Sequence, residues 1–294
     1  MSIFFLKIIA VFSMLIDHLG FIDFLHAGHV EMWRTLGRIS FPIFAFALVN
    51  GWEKTHDRAK YFERLMLWAV ISQIPYSVSL HITDMYRLGS LRGFHFQLAP
   101  IFLLLTPLNL YFYRRFVQNK PNFRTVFTLA VAFLLPVMRF RFHRVCLFSD
   151  HLNVLYTLSL GLILIFVLEK IRSRFLSVKE KICMILLVAL DLFFYGLHTD
   201  YGNKFGGYFL IAGLYLTRNK RLFQSLAILI WSGAYYSFVW HSFKAAATGS
   251  LSALLIYFYR PEKGSGPKFS KMLIYLFYPL HLLLIGLYLL WKMP

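Results

Sequence analysis

Residues 6–20 read LKIIAVFSMLIDHLG, and this stretch decides the fold. The apolar run around it, Ile3 to Ile22, has the roughly 20 residues an α-helix needs to cross a hydrocarbon core. Yet it carries Lys7, Asp17 and His18. A charge at the centre of such a helix costs about 2.5–3.5 kcal/mol on insertion scales. Lys7 can snorkel toward the nearer surface, whereas Asp17 and His18 lie too far along to follow it. Lys7 and His18 are eleven residues apart, about three turns, so they share a face roughly 16–17 Å apart along the axis. Asp17 points about 100° away, toward another helix rather than toward its neighbour. A buried polar cluster can serve only to lock helices together. Three ionisable groups in one span favour a functional site instead.

Outward from this stretch the same character holds. The chain has 294 residues, 59% of them hydrophobic, and a mean hydropathy of +0.61. That composition predicts an all-α, polytopic integral-membrane helical bundle, with residues 1–294 forming a single membrane domain. Cys146 and Cys183 show no CxxC or metal spacing and exclude a disulfide framework. The first helix lacks both a preceding charged region and a following small-residue cleavage site, so it is expected to be retained. A net charge of +18 resembles a nucleic-acid signature until the basic residues are located. They sit in short loops between apolar runs, and no nucleic-acid partner is expected.

Ten or eleven spans are expected, with cores at 3–22, 38–52, 61–82, 98–113, 123–138, 152–169, 181–198, 205–217, 221–240, 248–259 and 271–291. The eighth and tenth are short for a full crossing. The even-numbered loops hold most of the lysine and arginine, for example Lys54, Arg58 and Lys60, then Lys170, Arg172, Arg174, Lys179 and Lys181. The positive-inside rule then puts these loops and the N-terminus on the cytoplasmic face of the plasma membrane. Lys7 lies near that face and His18 toward the outer half. The C-terminus is outside with eleven spans and inside with ten. RFRFHR (139–144) breaks the pattern on the outer side, as a ribbon on lipid headgroups or a site for an anionic acceptor.

Further polar groups punctuate the apolar runs. In GRISFPIFAF, Arg38 precedes Phe41, Phe44 and Phe46, and Pro42 is expected to kink the span. Arg38 is an interfacial snorkeller, or it pairs with Asp17, or its fork of donors holds a carbonyl or phosphate oxygen. In DRAKYFERLMLWAVISQIPY, Arg58, Lys60, Glu63 and Arg64 form a membrane anchor or a landing site for a nucleotide phosphate from the cytosol. Gln73, Pro75 and Tyr76 follow deeper. HLNVLYTLSLG (151–161) puts Asn153 at the outer end of the sixth span with Thr157 a turn below, and DYGNKFGGY (200–208) is a Gly-rich outer turn. Capping and packing explain both. The alternative is substrate binding by Gln73, Tyr76, Asn153, Asp200 and Tyr201. Tyr278 and His281 in FYPLHLLLIG share a helix face as a proton-handling pair, an oxyanion support or a plain interhelical bond. Asp191 is a further buried acid. Asp23, His26 and His29 superficially suggest a metal site, but a solvated loop is favoured and no metal is expected.

LKIIAVFSMLIDHLG, GRISFPIFAFALVNG, KYFERLMLWAVISQIPY, NVLYTLSLG, DYG and FYPLHLLLIG fall in the order and spacing of the TraX family, which the chain resembles over nearly its whole length. Those are polytopic membrane proteins named for N-terminal acetylation of conjugative pilin. The lysine, ten intervening residues and histidine of the first helix also resemble the signature of the acyltransferase-3 group. There the histidine is taken as catalytic and the acyl donor comes from the cytosol. Of that group's arginine pair only Arg64, with Lys60 nearby, has a counterpart.

The resemblance implies an acyltransferase moving an acetyl group from acetyl-CoA to an amine or hydroxyl of a protein or glycan acceptor. His18 would act as base or acyl carrier, with Asp17 and His281 orienting partners and Arg38 or Tyr278 holding the oxyanion. Lys7, Arg58, Lys60 and Arg64 would bind the donor. A transporter or lipid/glycan flippase, using Asp17, His18 and Arg38 to relay protons or bind substrate, is the rival from another class. A non-enzymatic assembly factor is a third possibility.

Overall fold

The computed structural model describes residues 1–22, 30–88, 99–118, 121–135, 141–142, 145–146, 151–261 and 268–292. Each apolar run named above meets a helix. In chain order these are α1 (Ile3–Phe21), α3 (Ser40–Lys54), α4 (Arg58–Leu88), α5 (Ala99–Phe112), α6 (Phe123–Leu134), α7 (Val154–Ile171), α8 (Val178–Phe194), α9 (Gly206–Leu216), α10 (Arg221–Phe238), α11 (Phe243–Tyr257) and α12 (Lys268–Lys292). A further short helix, α2 (Val30–Gly37), lies where a loop is expected. Arg141–Phe142 and Val145–Cys146 pair antiparallel as two strands of two residues each.

Helix starts follow local chemistry. The Ser2 side chain accepts from the Phe5 amide, the Asn122 side chain from Thr125 and the Asn153 side chain from Leu155. Ser177 and Glu180 form a reciprocal capping box at α8. Pro42, expected to kink a span, instead sits in the first turn of α3. There its missing N–H is one of the donors a helix leaves unbonded anyway, so no carbonyl is stranded.

Among the described residues, Ile3–Phe21, Val154–Ile171, Val178–His198 and Met272–Lys292 are long and apolar enough to cross a membrane. The protein is an all-α, polytopic helical membrane protein. Its sidedness is visible on α8, where Met184, Leu187, Val188 and Asp191 are buried while Ile182, Ile185, Leu186 and Phe193 are exposed. In lipid an exposed apolar face costs nothing, so the interior can take the polar residues. The 11 residues of α9 extend only about 16 Å.

The chain packs as two units. The first comprises Met1–Lys54 and Gly206–His281, the second Thr55–Phe205 and Leu282–Pro294. In the first, α10 lies against α11, α1 against α2 and α3, and α3 against α9 and α11. In the second, α4 packs on α6 and α7, α5 on α6 and α8, and α7 on α8.

Candidate active site

The site of the first unit begins with two glycines that let α2 lie directly on α1. A Cβ on Gly20 would stand 2.5 Å from the Trp33 Cβ, and one on Gly37 only 2.2 Å from the Asp17 Cβ. The Ser13 hydroxyl adds a 2.8 Å hydrogen bond to the Leu36 carbonyl. This close approach brings the next residues of the chain over the Asp17 carboxylate. Arg34 Nε lies 3.3 Å and Arg38 Nη2 3.2 Å from Asp17 Oδ1. Asp17 thus pairs with neighbouring helical segments, and Arg38 takes the ion-pair alternative.

Arg38 is held on several sides. Its side chain is 4% exposed, its guanidinium lies 4.1 Å over the Trp240 ring, and its carbonyl accepts from the Tyr236 hydroxyl at 3.2 Å. Arg34, 27% exposed, stacks 4.9 Å over Phe21. Two guanidiniums thus converge on one carboxylate next to His18. Such groups suit a developing oxyanion.

His18 meets His281 of α12. His18 Nδ1 and His281 Nε2 are 2.8 Å apart, and the rings are near-parallel with centroids 5.0 Å apart. His281 Nδ1 lies 2.7 Å from the Phe277 carbonyl oxygen. A carbonyl only accepts, so Nδ1 of His281 carries the proton and, in the neutral ring, its Nε2 accepts. His18 Nδ1 must then donate, and the lone pair of His18 falls on Nε2. That nitrogen has no hydrogen bond among the described residues. The two rings and one carbonyl therefore form an oriented relay ending in a basic nitrogen. Tyr278 sits edge-on to His281, centroids 5.7 Å apart, so the pair expected from spacing is present. The hydrogen-bonding partner of His281, however, is His18.

The residues read as substrate-binding lie in the second unit, where they divide into two groups. Gln73 and Asn153 saturate each other: Gln73 Oε1 accepts from the Asn153 amide (3.1 Å) and side chain (2.8 Å). Gln73 Nε2 donates to the His151 carbonyl and the Ser77 hydroxyl, and Asn153 Nδ2 also reaches the Ala69 carbonyl. With the Leu155 amide on Asn153 Oδ1, all four side-chain N–H groups of the pair are engaged, and one lone pair of Asn153 Oδ1 remains. Tyr76 and His151 instead meet on Asp200 Oδ1, at 3.1 and 3.3 Å, and Thr157 bonds the Asp200 carbonyl. Tyr201 follows in the same turn with a positive φ of 59°. Asp191 accepts from Asn109 at 2.8 Å.

Of the basic residues expected to receive a donor, Arg58 pairs with Glu169 at 2.6 Å, Lys60 with Asp57 at 2.9 Å, and Arg64 lies over the Tyr61 ring. The Lys60 amide and side chain hold the Asp57 carboxyl below its ordinary range. All three belong to the second unit, whereas Lys7, half-buried on α1, belongs to the first. Asp23, His26 and His29, and the side chains of 139–144, lie outside the described residues. No cluster of metal-ligating side chains occurs among the described residues.

A family profile described as TraX protein matches residues 2–94 and 98–289. The chain belongs to the TraX family. It is also 38% identical over 78 residues, 26% of its length, to the "Probable fimbrial assembly protein FimC, serogroup H1" of Dichelobacter nodosus. That match spans about a third (32%) of the relative's own length. No solved structure matches.

In this TraX-family chain, sequence reading misses Arg34, which it places in a loop. The signal was present in VEMWRTLG (30–37): Val30, Trp33 and Gly37 recur at helical spacing. Trp240 and the Phe277 carbonyl leave no such trace.

Proposed function

We propose that this chain is an integral-membrane acyltransferase of the cytoplasmic membrane, N-terminus inside, that moves an acetyl group from acetyl-CoA to an amine or hydroxyl acceptor. The observation that carries this reading is the oriented relay from the Phe277 carbonyl through His281 to the unshared Nε2 of His18, beside the Arg34 and Arg38 guanidiniums that meet on Asp17. A general base needs a positioned lone pair, and an acyl transfer needs positive charge where the oxyanion forms.

His18 Nε2 removes the proton from the acceptor, whose freed electron pair forms a bond to the thioester carbonyl carbon. The tetrahedral oxyanion is held by Arg38 or by the Tyr278 hydroxyl. It collapses by breaking the C–S bond, and the departing thiolate takes the proton back from His18. The resulting amide or ester and the free thiol balance the step. His281 shares the transient charge of His18, and Asp17 fixes both arginines. The acyltransferase-3 resemblance of Lys7 and His18 supports these roles. Similarity to the Dichelobacter fimbrial assembly protein favours a subunit of a surface fibre as acceptor, with a glycan hydroxyl as the other acceptor of the same chemistry.

The test is transfer from radiolabelled acetyl-CoA by protein reconstituted in lipid, with His18→Ala as the decisive variant. Thioester cleavage should fall by about 10²–10⁴-fold while the variant stays folded. Undiminished turnover in folded His18→Ala removes the proposal.

A further inference from the structure

Helix α3 runs from Ser40, two residues beyond Arg38, to Lys54, while α1 starts at Ile3 and carries His18 in its last turn. The Met1 ammonium donates to the Phe258 carbonyl at 2.7 Å. Lys54, Met1 and Tyr259 therefore gather at the end of the first unit opposite His18, about 22 Å away along α1.

At this end the side chains converge on one phenol. Tyr259 is buried, and its oxygen accepts from Asn50 Nδ2 at 3.0 Å and from Lys54 Nζ at 3.1 Å. Phe46 packs edge-on against its ring, and the Arg221 guanidinium lies 5.2 Å over the ring. Neighbouring Arg218 is neutralised by Glu53 at 3.1 Å. Lys54 and Arg221 have no carboxylate partner among the described residues, and the first turn of α10 holds no acid.

Two like charges held on one ring repel, so such a cluster suits an anion. The donor inventory fits as well. Both lone pairs of the phenol oxygen are engaged, so its O–H can only donate. Lys54 keeps two N–H groups beyond the one on Tyr259, and stacking leaves the in-plane donors of Arg221 available.

We propose that Lys54, Arg221 and Tyr259, with Asn50 fixing the phenol, form a phosphate site that anchors the nucleotide end of the acyl-CoA donor. This rests on the acyl-donor reading above. Coenzyme A carries its phosphates at one end and its thioester at the tip of a long flexible arm. The first unit offers a phosphate site at one end, Lys7 along α1, and the His18 base at the other. Anionic lipid headgroups present the same phosphate chemistry, so the test separates the two sources.

The full-length protein is placed in nanodiscs of phosphatidylcholine alone, and coenzyme A binding is measured for wild type, Lys54→Gln, Arg221→Gln, Tyr259→Phe and Arg221→Lys. The surface variant Lys179→Gln controls for bulk charge, and thermal unfolding confirms that each variant is folded. Lys54→Gln and Arg221→Gln should each weaken binding at least tenfold, Tyr259→Phe less, and Lys179→Gln not at all. Arg221→Lys, keeping the charge but not the fork, should fall between. Variants that bind like wild type overturn the site and leave the donor reading standing. If wild type binds no coenzyme A, the donor reading and this assignment fall together. A second series with phosphatidylglycerol identifies the lipid source. If these variants lose only enrichment of that lipid, the site holds a headgroup and the donor assignment is wrong.

Discussion

Replacing Gly37 by alanine tests how the site is assembled. Gly37 ends α2 without a positive φ, so it is needed for space and not for backbone freedom. The new Cβ would stand 2.2 Å from the Asp17 Cβ, 2.5 Å from its Cγ and 3.0 Å from its Cα. Rotating the Asp17 side chain cannot relieve this, because Cα and Cβ move only with the helix. Reaching ordinary contact at 3.4 Å requires α1 and α2 to separate by about 1.2 Å. A rigid shift of that size would stretch the 3.2 Å contact between Arg38 and Asp17 to as much as about 4.4 Å, beyond hydrogen-bond reach. Overpacking alone costs about 1–3 kcal/mol, and parting a buried charge pair about 3–5 kcal/mol. Unfolding of the purified protein in mild detergent, followed by tryptophan fluorescence, should therefore show a loss of about 3 kcal/mol or more. Gly233→Ala in α10, where an added Cβ meets nothing within 4 Å, is the control. It should be neutral or gain up to about 1 kcal/mol from helix propensity. If Gly37→Ala unfolds like wild type and keeps its transfer rate, the close α1–α2 contact does not assemble the site.

Nitrogen-15 NMR of histidine-labelled protein should show His281 protonated on Nδ1 and His18 protonated on Nδ1 with a bare Nε2; the opposite tautomer of His18 refutes the relay. His281→Ala should lower the transfer rate about 10²-fold with little change in KM for the donor, since it positions His18 rather than touching substrate. Asn153→Ala should cost about 2 kcal/mol, from the lost cap and the stranded Gln73, and should leave KM unaltered. A raised KM at unchanged stability would show that Asn153 touches the substrate. Arg38→Lys should destabilise more than Arg34→Lys, because Arg38 is 4% and Arg34 27% exposed, and a lysine cannot reproduce the fork stacked on Trp240. Equal losses in a denaturant titration would contradict this ranking.

Apolar runs long enough for lipid dictate helices wherever they occur, because backbone groups in hydrocarbon must be satisfied within the segment. The positions of α1, α3 and α7 through α12 were legible for that reason, and so was the oddity of Asp17 and His18 inside α1. Asn153 could be read as a cap because capping is a local contest between one side chain and the next amides. Partnership was not legible. His18 and His281 are 263 residues apart, and no local preference encodes which helix faces which. Arg34 was hidden because a short helix with polar faces reads as a loop until a packing partner buries one side. The charge that looked available on Arg58 and Lys60 is taken up by Glu169 and Asp57, whereas that on Lys54 and Arg221 is gathered on Tyr259. Composition determined that charges had to be placed inside or at the ends of apolar helices. Only tertiary packing decided which were neutralised and which were left to act, because pairing depends on distances between segments remote in the chain.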